Sequence, residues 1–232
     1  MASKRTYGEA CRFAHALDLV GERWALLVVR ELLLGPKRFT DLRAGLPHAS
    51  PNILAERLRD LEAGAVVRKR RLPPPAASSV YELTEWGREL EPIVTKLGAW
   101  GARSPIPPRS QEINTDSIVL ALGSLFDAEA AGDLQASYEL RIGEESFTVT
   151  VADDELTLGR DPADEPTATI AVADASTLAA ILSEQFPLDE ALASGAAQIE
   201  GGKRAVQRFL RLFPMPEPCV CRGVESALAA TA

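Results

Sequence analysis

Residues able to read or grip a nucleic acid are concentrated between Ser50 and Arg71. At about 100° per residue, Asn52 and Arg59 point most directly away from an apolar stripe of Ile53, Leu54, Leu58 and Leu61, with Ala55, Glu56 and Ala63 beside them. This set suits the floor of a DNA major groove. Asparagine bonds adenine bidentately, arginine does the same to guanine, and glutamate accepts from the cytosine amino group. Arg57 falls towards the apolar side, where it pairs locally or reaches a flank. An ordinary amphipathic surface helix carries a similar face, so this stretch alone leaves both readings open.

The next stretch favours the first. Arg68-Lys69-Arg70-Arg71 follows Ala65-Val66-Val67, and after Leu72-Pro73-Pro74-Pro75-Ala76-Ala77-Ser78-Ser79 the chain returns as Val80-Tyr81-Glu82-Leu83-Thr84. This is the pattern of a strand, a proline-rich tip and a second strand. Four cations in a row on a strand point alternately to its two faces. A charge run by itself is usually a solvated face. Beside the preceding helix it becomes a wing suited to the phosphate backbone.

Those side chains need elements to hold them. Ser50 can accept an orphan backbone N–H, and Pro51 suits the first helical position. Before them, Phe39, Leu42 and Leu46 mark a short helix with Thr40 near its start, broken at Leu46-Pro47-His48-Ala49. The pair is a helix-turn-helix, with Thr40, Ser50 and Pro51 added to Asn52, Ala55, Glu56, Arg59 and the four wing cations as candidate DNA contacts. Residues 8–20 and 23–34 supply two further helices, the second strongly apolar. Glu85 to Gly101 reads as one helix capped by Thr84, with a stripe of Leu90, Ile93, Val94, Leu97 and Trp100 too long for a small core to cover.

Taken together, Cys11, Ala16-Leu17-Asp18-Leu19-Val20-Gly21-Glu22-Arg23-Trp24, Leu26-Leu27-Val28-Val29-Arg30-Glu31-Leu32, Gly35-Pro36-Lys37-Arg38-Phe39, Leu46-Pro47, Ser50-Pro51 and Tyr81-Glu82-Leu83-Thr84 resemble the HxlR family of winged helix-turn-helix regulators over residues 8–103. The resemblance implies double-stranded DNA as partner and a homodimer whose first and last helices pair across the axis; core packing within one chain is the alternative for the Glu85–Gly101 stripe. It also implies a redox role for Cys11, since some members sense oxidants or electrophiles at this place. Arg12 and His15 are close enough in sequence to lower its thiol pKa; the plainer alternative is a small buried side chain.

Ser104-Pro105-Ile106-Pro107-Pro108-Arg109-Ser110 reads as a semi-rigid linker. Beyond it come a helix over 118–131, three alternating segments (Tyr138/Leu140/Ile142, Phe147/Val149/Val151, Leu156/Leu158) and a fourth strand, Ala168/Ile170/Val172. Helices over 174–183 and 188–194, a short strand at 197–200 and a last helix over 203–213 follow. This order resembles the sterol-carrier-protein type lipid-binding fold, carried by Phe147-Thr148-Val149-Thr150-Val151, Ala168-Thr169-Ile170, Thr177-Leu178, Ala191-Leu192-Ala193-Ser194-Gly195, Ile199-Glu200-Gly201 and Phe209-Leu210-Arg211-Leu212-Phe213. A sheet under helices can enclose an apolar pocket, for which Phe147, Ile181, Leu182, Phe186, Leu192, Phe209 and Phe213 are the candidate lining; plain core is the alternative.

The fold expected is α+β: a winged helix-turn-helix domain at 1–104, a linker at 105–116, a sterol-carrier-like antiparallel sheet covered by helices at 117–214, and a flexible tail at 215–232. Charge follows the same division. Residues 1–108 hold 17 Lys+Arg against 12 Asp+Glu, whereas residues 109–232 hold 8 against 21, within a whole-chain net of −8. A basic module is fused to an acidic one that phosphate repels.

Other chemistry is sparse. The chain has two histidines and no G-x-S-x-G, P-loop, H-E-x-x-H or dinucleotide fingerprint, so neither an enzyme nor a cofactor is expected. Cys219 and Cys221 cannot complete a zinc site alone. Gly201-Gly202 before Lys203 reads as a turn rather than a phosphate cradle. With three cysteines, no apolar run of 18 residues and no signal-peptide h-region, a cytoplasmic protein without membrane insertion is expected. The function expected is a dimeric transcriptional regulator, a repressor, reading a near-palindromic operator under control of an apolar effector. The alternative is a small-molecule or lipid sensor or carrier in which the winged helix mainly dimerises.

Overall fold

A computed structural model describes residues 6–73, 78–106 and 112–220. The proline-rich wing tip at 74–77, the linker residues 107–111 and the tail from Cys221 lie outside the described residues. The chain divides into two compact units, Met1–Val94 and Thr95–Ala232, and the class is α+β.

In the first unit, α1 (Arg12–Val20), α2 (Ala25–Leu33), α3 (Phe39–Gly45) and α4 (Pro51–Ala63) precede the hairpin β1 (Val67–Arg71) and β2 (Ser79–Leu83). Val28, Val29 and Leu32 of α2 are fully closed in against Leu42 of α3 and Leu54, Leu58 and Leu61 of α4. That apolar spacing makes α2 the post on which the helix-turn-helix is mounted. Ile53, expected in the stripe of α4, is 38% exposed. Leu54, Leu58 and Leu61 at i, i+4 and i+7 already fill the inward face, which leaves Ile53 at its edge.

The expected helix from Glu85 to Gly101 is two helices, α5 (Glu85–Arg88) and α6 (Glu91–Ala102). Pro92 accounts for the break: it has no N–H to donate, and its ring crowds the carbonyl four residues back, at Arg88, where α5 stops. No residue of α6 is buried. Ile93, Leu97 and Trp100 are 55%, 48% and 75% exposed, so that stripe is not core within this chain.

The second unit takes in the rest of α6 from Thr95 and continues with α7 (Thr115–Leu125) and α8 (Ala128–Ala131), separated where Phe126 turns extended and the Asp127 carboxylate accepts from the Glu129 and Ala130 N–H groups. One helix was expected there; the Asp127 cap starts a second. Strands β3 (Ala136–Ile142), β4 (Glu145–Ala152), β5 (Glu155–Gly159), β6 (Ala168–Val172) and β7 (Ala197–Gly201) form one sheet in the order β5-β4-β3-β6-β7. Helices α9 (Ala175–Leu182) and α10 (Leu188–Ser194) lie between β6 and β7, and α11 (Lys203–Leu210) follows. The sheet is mixed rather than antiparallel, because β6 pairs parallel to β3, with Leu140 opposite Ile170. The return after β5 carries the chain past β4 to the far side of β3, so β6 runs in the same direction as β3.

Gly201 belongs to the turn into α11. Its φ is +87°, and a Cβ there would lie 2.9 Å from the Thr167 carbonyl oxygen, so the residue meets a conformational and a steric demand together.

Candidate nucleic-acid interface and apolar groove

The Ser50 hydroxyl accepts the Ile53 N–H (3.4 Å) and Pro51 occupies the first turn of α4. Pro51, Asn52, Glu56, Arg59 and Ala63 are exposed, and Ala55 is half-buried. Asn52, Glu56, Arg59 and Ala63 lie on the side of α4 opposite Leu54, Leu58 and Leu61, with Ala55 at its edge and Pro51 exposed at the helix start. Arg59 Nε donates back to the Ala55 carbonyl (3.3 Å). Thr40, also exposed, donates to Asp41 (3.1 Å), whose carboxylate accepts the Arg38 N–H (3.0 Å) at the start of α3. Arg57 is 8% exposed and reaches Glu56 (2.9 Å), Asp60 (3.1 Å) and Glu22 (3.8 Å), tying α4 to the turn ahead of α2.

That turn holds a feature the sequence did not disclose. Trp24 sits at φ +78°, a left-handed conformation rare for a bulky residue, with the Arg23 guanidinium 5.1 Å from its ring centre. A hollow of about 350 Å³ opens there, between Trp24, His48, Ser50, Ile53 and Arg57. The left-handed start of α2 had no glycine to announce it.

The hairpin is tied to the helix-turn-helix by Lys37, which exchanges both backbone hydrogen bonds with Tyr81 (3.0 and 2.8 Å). The Lys37 ammonium reaches inward to Glu31 (2.6 Å), a fully buried carboxylate on α2 that also accepts from Arg30 (2.9 Å). Burial alone would push the Glu31 carboxyl up; Lys37 and then Arg30 outweigh it and hold the group below its ordinary range. Arg68, Lys69, Arg70 and Arg71 are all exposed. Arg68 lies opposite Glu82 and Lys69 opposite Tyr81, so the cations alternate between faces as their spacing requires. Arg68 and Arg70 share the Glu82 carboxylate, the Lys69 ammonium stands 5.5 Å from the Tyr81 ring centre, and Arg71 has no ion-pair partner among the described residues.

Comparison with known proteins bears on this unit first. Residues 19–107 match the family profile described as HxlR-like helix-turn-helix. YvaP of Bacillus subtilis (strain 168), an uncharacterized HTH-type transcriptional regulator, is 39% identical over 93 residues, covering 40% of this chain and 86% of YvaP. The chain belongs to the HxlR-like helix-turn-helix family. A second relative, the HTH-type transcriptional regulator YodB of the same organism, is 38% identical over 85 residues, or 37% of this chain and 76% of YodB. The reduced form of YodB is a solved structure, 34% identical and covering 43% of this chain and 99% of its own, with a TM-score of 0.38. Residues 109–219 match the profile described as alkyl sulfatase C-terminal. This HxlR-like chain therefore carries a second unit matched to that description, rather than to the sterol carrier that its sequence resembles.

The expected pocket residues separate in the structure. Phe147 and Phe209 are fully buried. Arg160 stands 5.1 Å over the Phe147 ring and bonds Asp116 and Glu145, while Phe209 packs on Tyr138 and Phe213, ring centres 4.8 and 4.9 Å away. Both rings fill core, Phe147 under the Arg160 guanidinium and Phe209 on the sheet-facing side of α11. Ile181, Leu182 and Phe213 do line a groove of about 740 Å³, with Pro187, Leu188, Leu210 and Met215. Phe186 and Leu192 are half-buried outside that lining. Sequence reasoning passed over the groove's polar side. Gln207 and Arg211 border it, and Arg204 and Arg208 are exposed at helical spacing beside them. Half of the eight cations beyond residue 108 therefore fall within residues 203–211.

Cys11 is exposed at the start of α1, not buried. Its thiol pKa is lowered by the backbone N–H groups of Ala14 and Phe13 rather than by Arg12 or His15, as a helix start favours a thiolate. Among the described residues no group of three or more His, Cys, Asp or Glu could hold a metal ion, and no helix is long and apolar enough to cross a membrane. Cys221, half of the C-x-C pair, lies outside the described residues.

Proposed function

We propose that this winged helix-turn-helix transcriptional regulator acts as a homodimeric repressor on a near-palindromic operator, with α4 in the major groove, the β1–β2 wing on the flanking phosphates and an apolar effector in the second unit. The observation that carries this reading is the exposed Asn52, Glu56 and Arg59 face of a helix anchored from behind, beside a hairpin with four exposed cations. Two copies related by a twofold axis would place their helices about one DNA turn apart, roughly 34 Å. In functional terms the division is 1–104 for DNA and dimerisation, 105–116 for connection and 117–214 for the effector.

The test is titration of the DNA upstream of the gene at several salt concentrations. Preference for that DNA over random duplex, with a steep salt dependence, supports the regulator. No preference favours the other reading, in which the groove lined by Leu182, Leu210 and Phe213 makes the chain a small-molecule sensor or carrier. Solvent extraction of the purified full-length chain, followed by mass spectrometry, tests the effector: an apolar molecule that co-purifies and shifts DNA affinity supports control through the groove.

Arg59→Ala and Asn52→Ala should each relax preference at one position per half-site by about 1–3 kcal/mol, read from binding to a panel of single-base operator variants. Unchanged preference in both would remove α4 from the major groove. The dimer rests on the exposed Ile93, Leu97 and Trp100 stripe of α6. Leu97→Asp with Trp100→Ala should give monomers in sedimentation velocity; an unaltered dimer would place the axis elsewhere.

A further inference from the structure

Resting on the DNA-binding reading above, we propose that Glu82 is a positioning residue, whose nearly buried carboxylate sets Arg68 and Arg70 as one two-guanidinium clamp for the DNA phosphate backbone. Glu82 is 7% exposed, whereas the side chains of Arg68 and Arg70 are 64% and 45% exposed. The pairing is one-sided. Arg68 bonds Glu82 through Nε (2.7 Å); Arg70 bonds it through Nε (3.0 and 3.1 Å) and a terminal nitrogen (2.9 Å). A guanidinium has five N–H donors in a fixed plane. The contacts to Glu82 use the inner edges of both planes and leave further donors for a phosphate. Hydrogen bonds from Arg70 and Arg68 also keep the Glu82 carboxyl below its ordinary range, so it stays ionised at neutral pH.

Two effects of this carboxylate oppose each other. It removes one positive charge from the wing, which by Coulomb attraction alone weakens binding to DNA. It also orders two long side chains that would otherwise lose rotamer freedom when the duplex arrives. Arg70 makes three contacts to one carboxylate that is itself fixed in β2, and this favours ordering as the larger effect. Lys69 and Arg71, on the other face of β1, have no carboxylate across the ladder to hold them.

The opposite signs make the test direct. Glu82→Gln keeps the shape and removes the charge; full-length wild type and variant are titrated with operator and random duplex from low to high salt. Positioning predicts about tenfold weaker binding of the variant to both duplexes without a steeper salt slope. It also predicts partial recovery in Glu82→Asp. Arg68→Lys with Arg70→Lys keeps both charges but loses the planar fork, so it should weaken wild type similarly and add little to Glu82→Gln. This second variant leaves Glu82 in place and gives the same reading if Glu82→Gln melts early. Tighter binding with a steeper slope, or unchanged binding, in Glu82→Gln overturns the proposal while wild-type binding keeps the regulator reading. Wild type that binds neither duplex at any salt concentration overturns both.

Discussion

Glu31→Ala should lower the stability of the winged-helix unit by about 3 kcal/mol, near the lower end for breaking a buried ion pair. The carboxylate is fully buried and accepts from Lys37 and Arg30. Its loss removes the opposite charge 2.6 Å from the Lys37 ammonium, whose side chain is 12% exposed. Lys37 can relax partly outwards, so the upper end of the range is not reached. The melting temperature should fall by about 15 °C, read by circular dichroism. Gly45 gives an internal control, because a Cβ there would lie 2.2 Å from Glu31 Oε2. Gly45→Ala should therefore be costly in wild type and much less so in Glu31→Ala, a coupling that a double-mutant cycle measures. Additive losses would mean that Gly45 matters for another reason. The pH dependence has a fixed sign: the folded-state pKa lies below the unfolded one, so the contribution is complete above the ordinary carboxylate value. It is lost as pH falls below the ordinary carboxylate range and through the lowered folded value. Glu31→Gln should flatten that acid limb.

Replacing Arg68, Lys69, Arg70 and Arg71 together by glutamine should remove about three units from the slope of log affinity against log salt. Four cations are lost, but Glu82 already offsets one of them. Affinity at low salt should fall by about a hundredfold or more, equally for operator and random duplex, since phosphate contacts carry no base information. The contrast with Asn52 and Arg59 is the informative part: those two should change which sequence is preferred while leaving the slope nearly intact. A slope unchanged by the quadruple replacement would take the wing off the phosphates.

What was legible in advance was local. The Ser50 cap, Pro51, the period of Leu54, Leu58 and Leu61 and the alternation in the hairpin all act within a few residues. The structure has α4 and the two wing strands where those signals put them. The break between α5 and α6 was also written locally, in Pro92, but the apolar stripe from Leu90 to Trp100 runs through it and hid it. Interactions distant in sequence left no such trace. The parallel seating of β6 on β3 depends on which side of the sheet the chain returns to, which no period records. Glu31 stands in an apolar run as one more charged residue until Lys37 and Gly45 close around it. Phe147 and Phe213 look alike as strings; the position of Arg160 over one and the open groove beside the other decide which lines a cavity.

The place of β3 at the centre of its sheet bears on how the chain is made. In the first unit every strand pairing is complete once β2 has followed β1, so that unit can close while the ribosome is still extending the second. The second unit must wait. β3 pairs at once with β4, but its other edge stays open until β6 arrives, and β6 in turn until β7, ending at Gly201. For that interval the nascent chain presents an open edge of the strand carrying Tyr138, Leu140 and Ile142, side chains that end up buried. Chains cut short between β5 and β6 keep that edge exposed permanently, whereas chains cut short after α5 never acquire it. Translation speed through residues 160–201 thus governs how long each new molecule is open to mispairing.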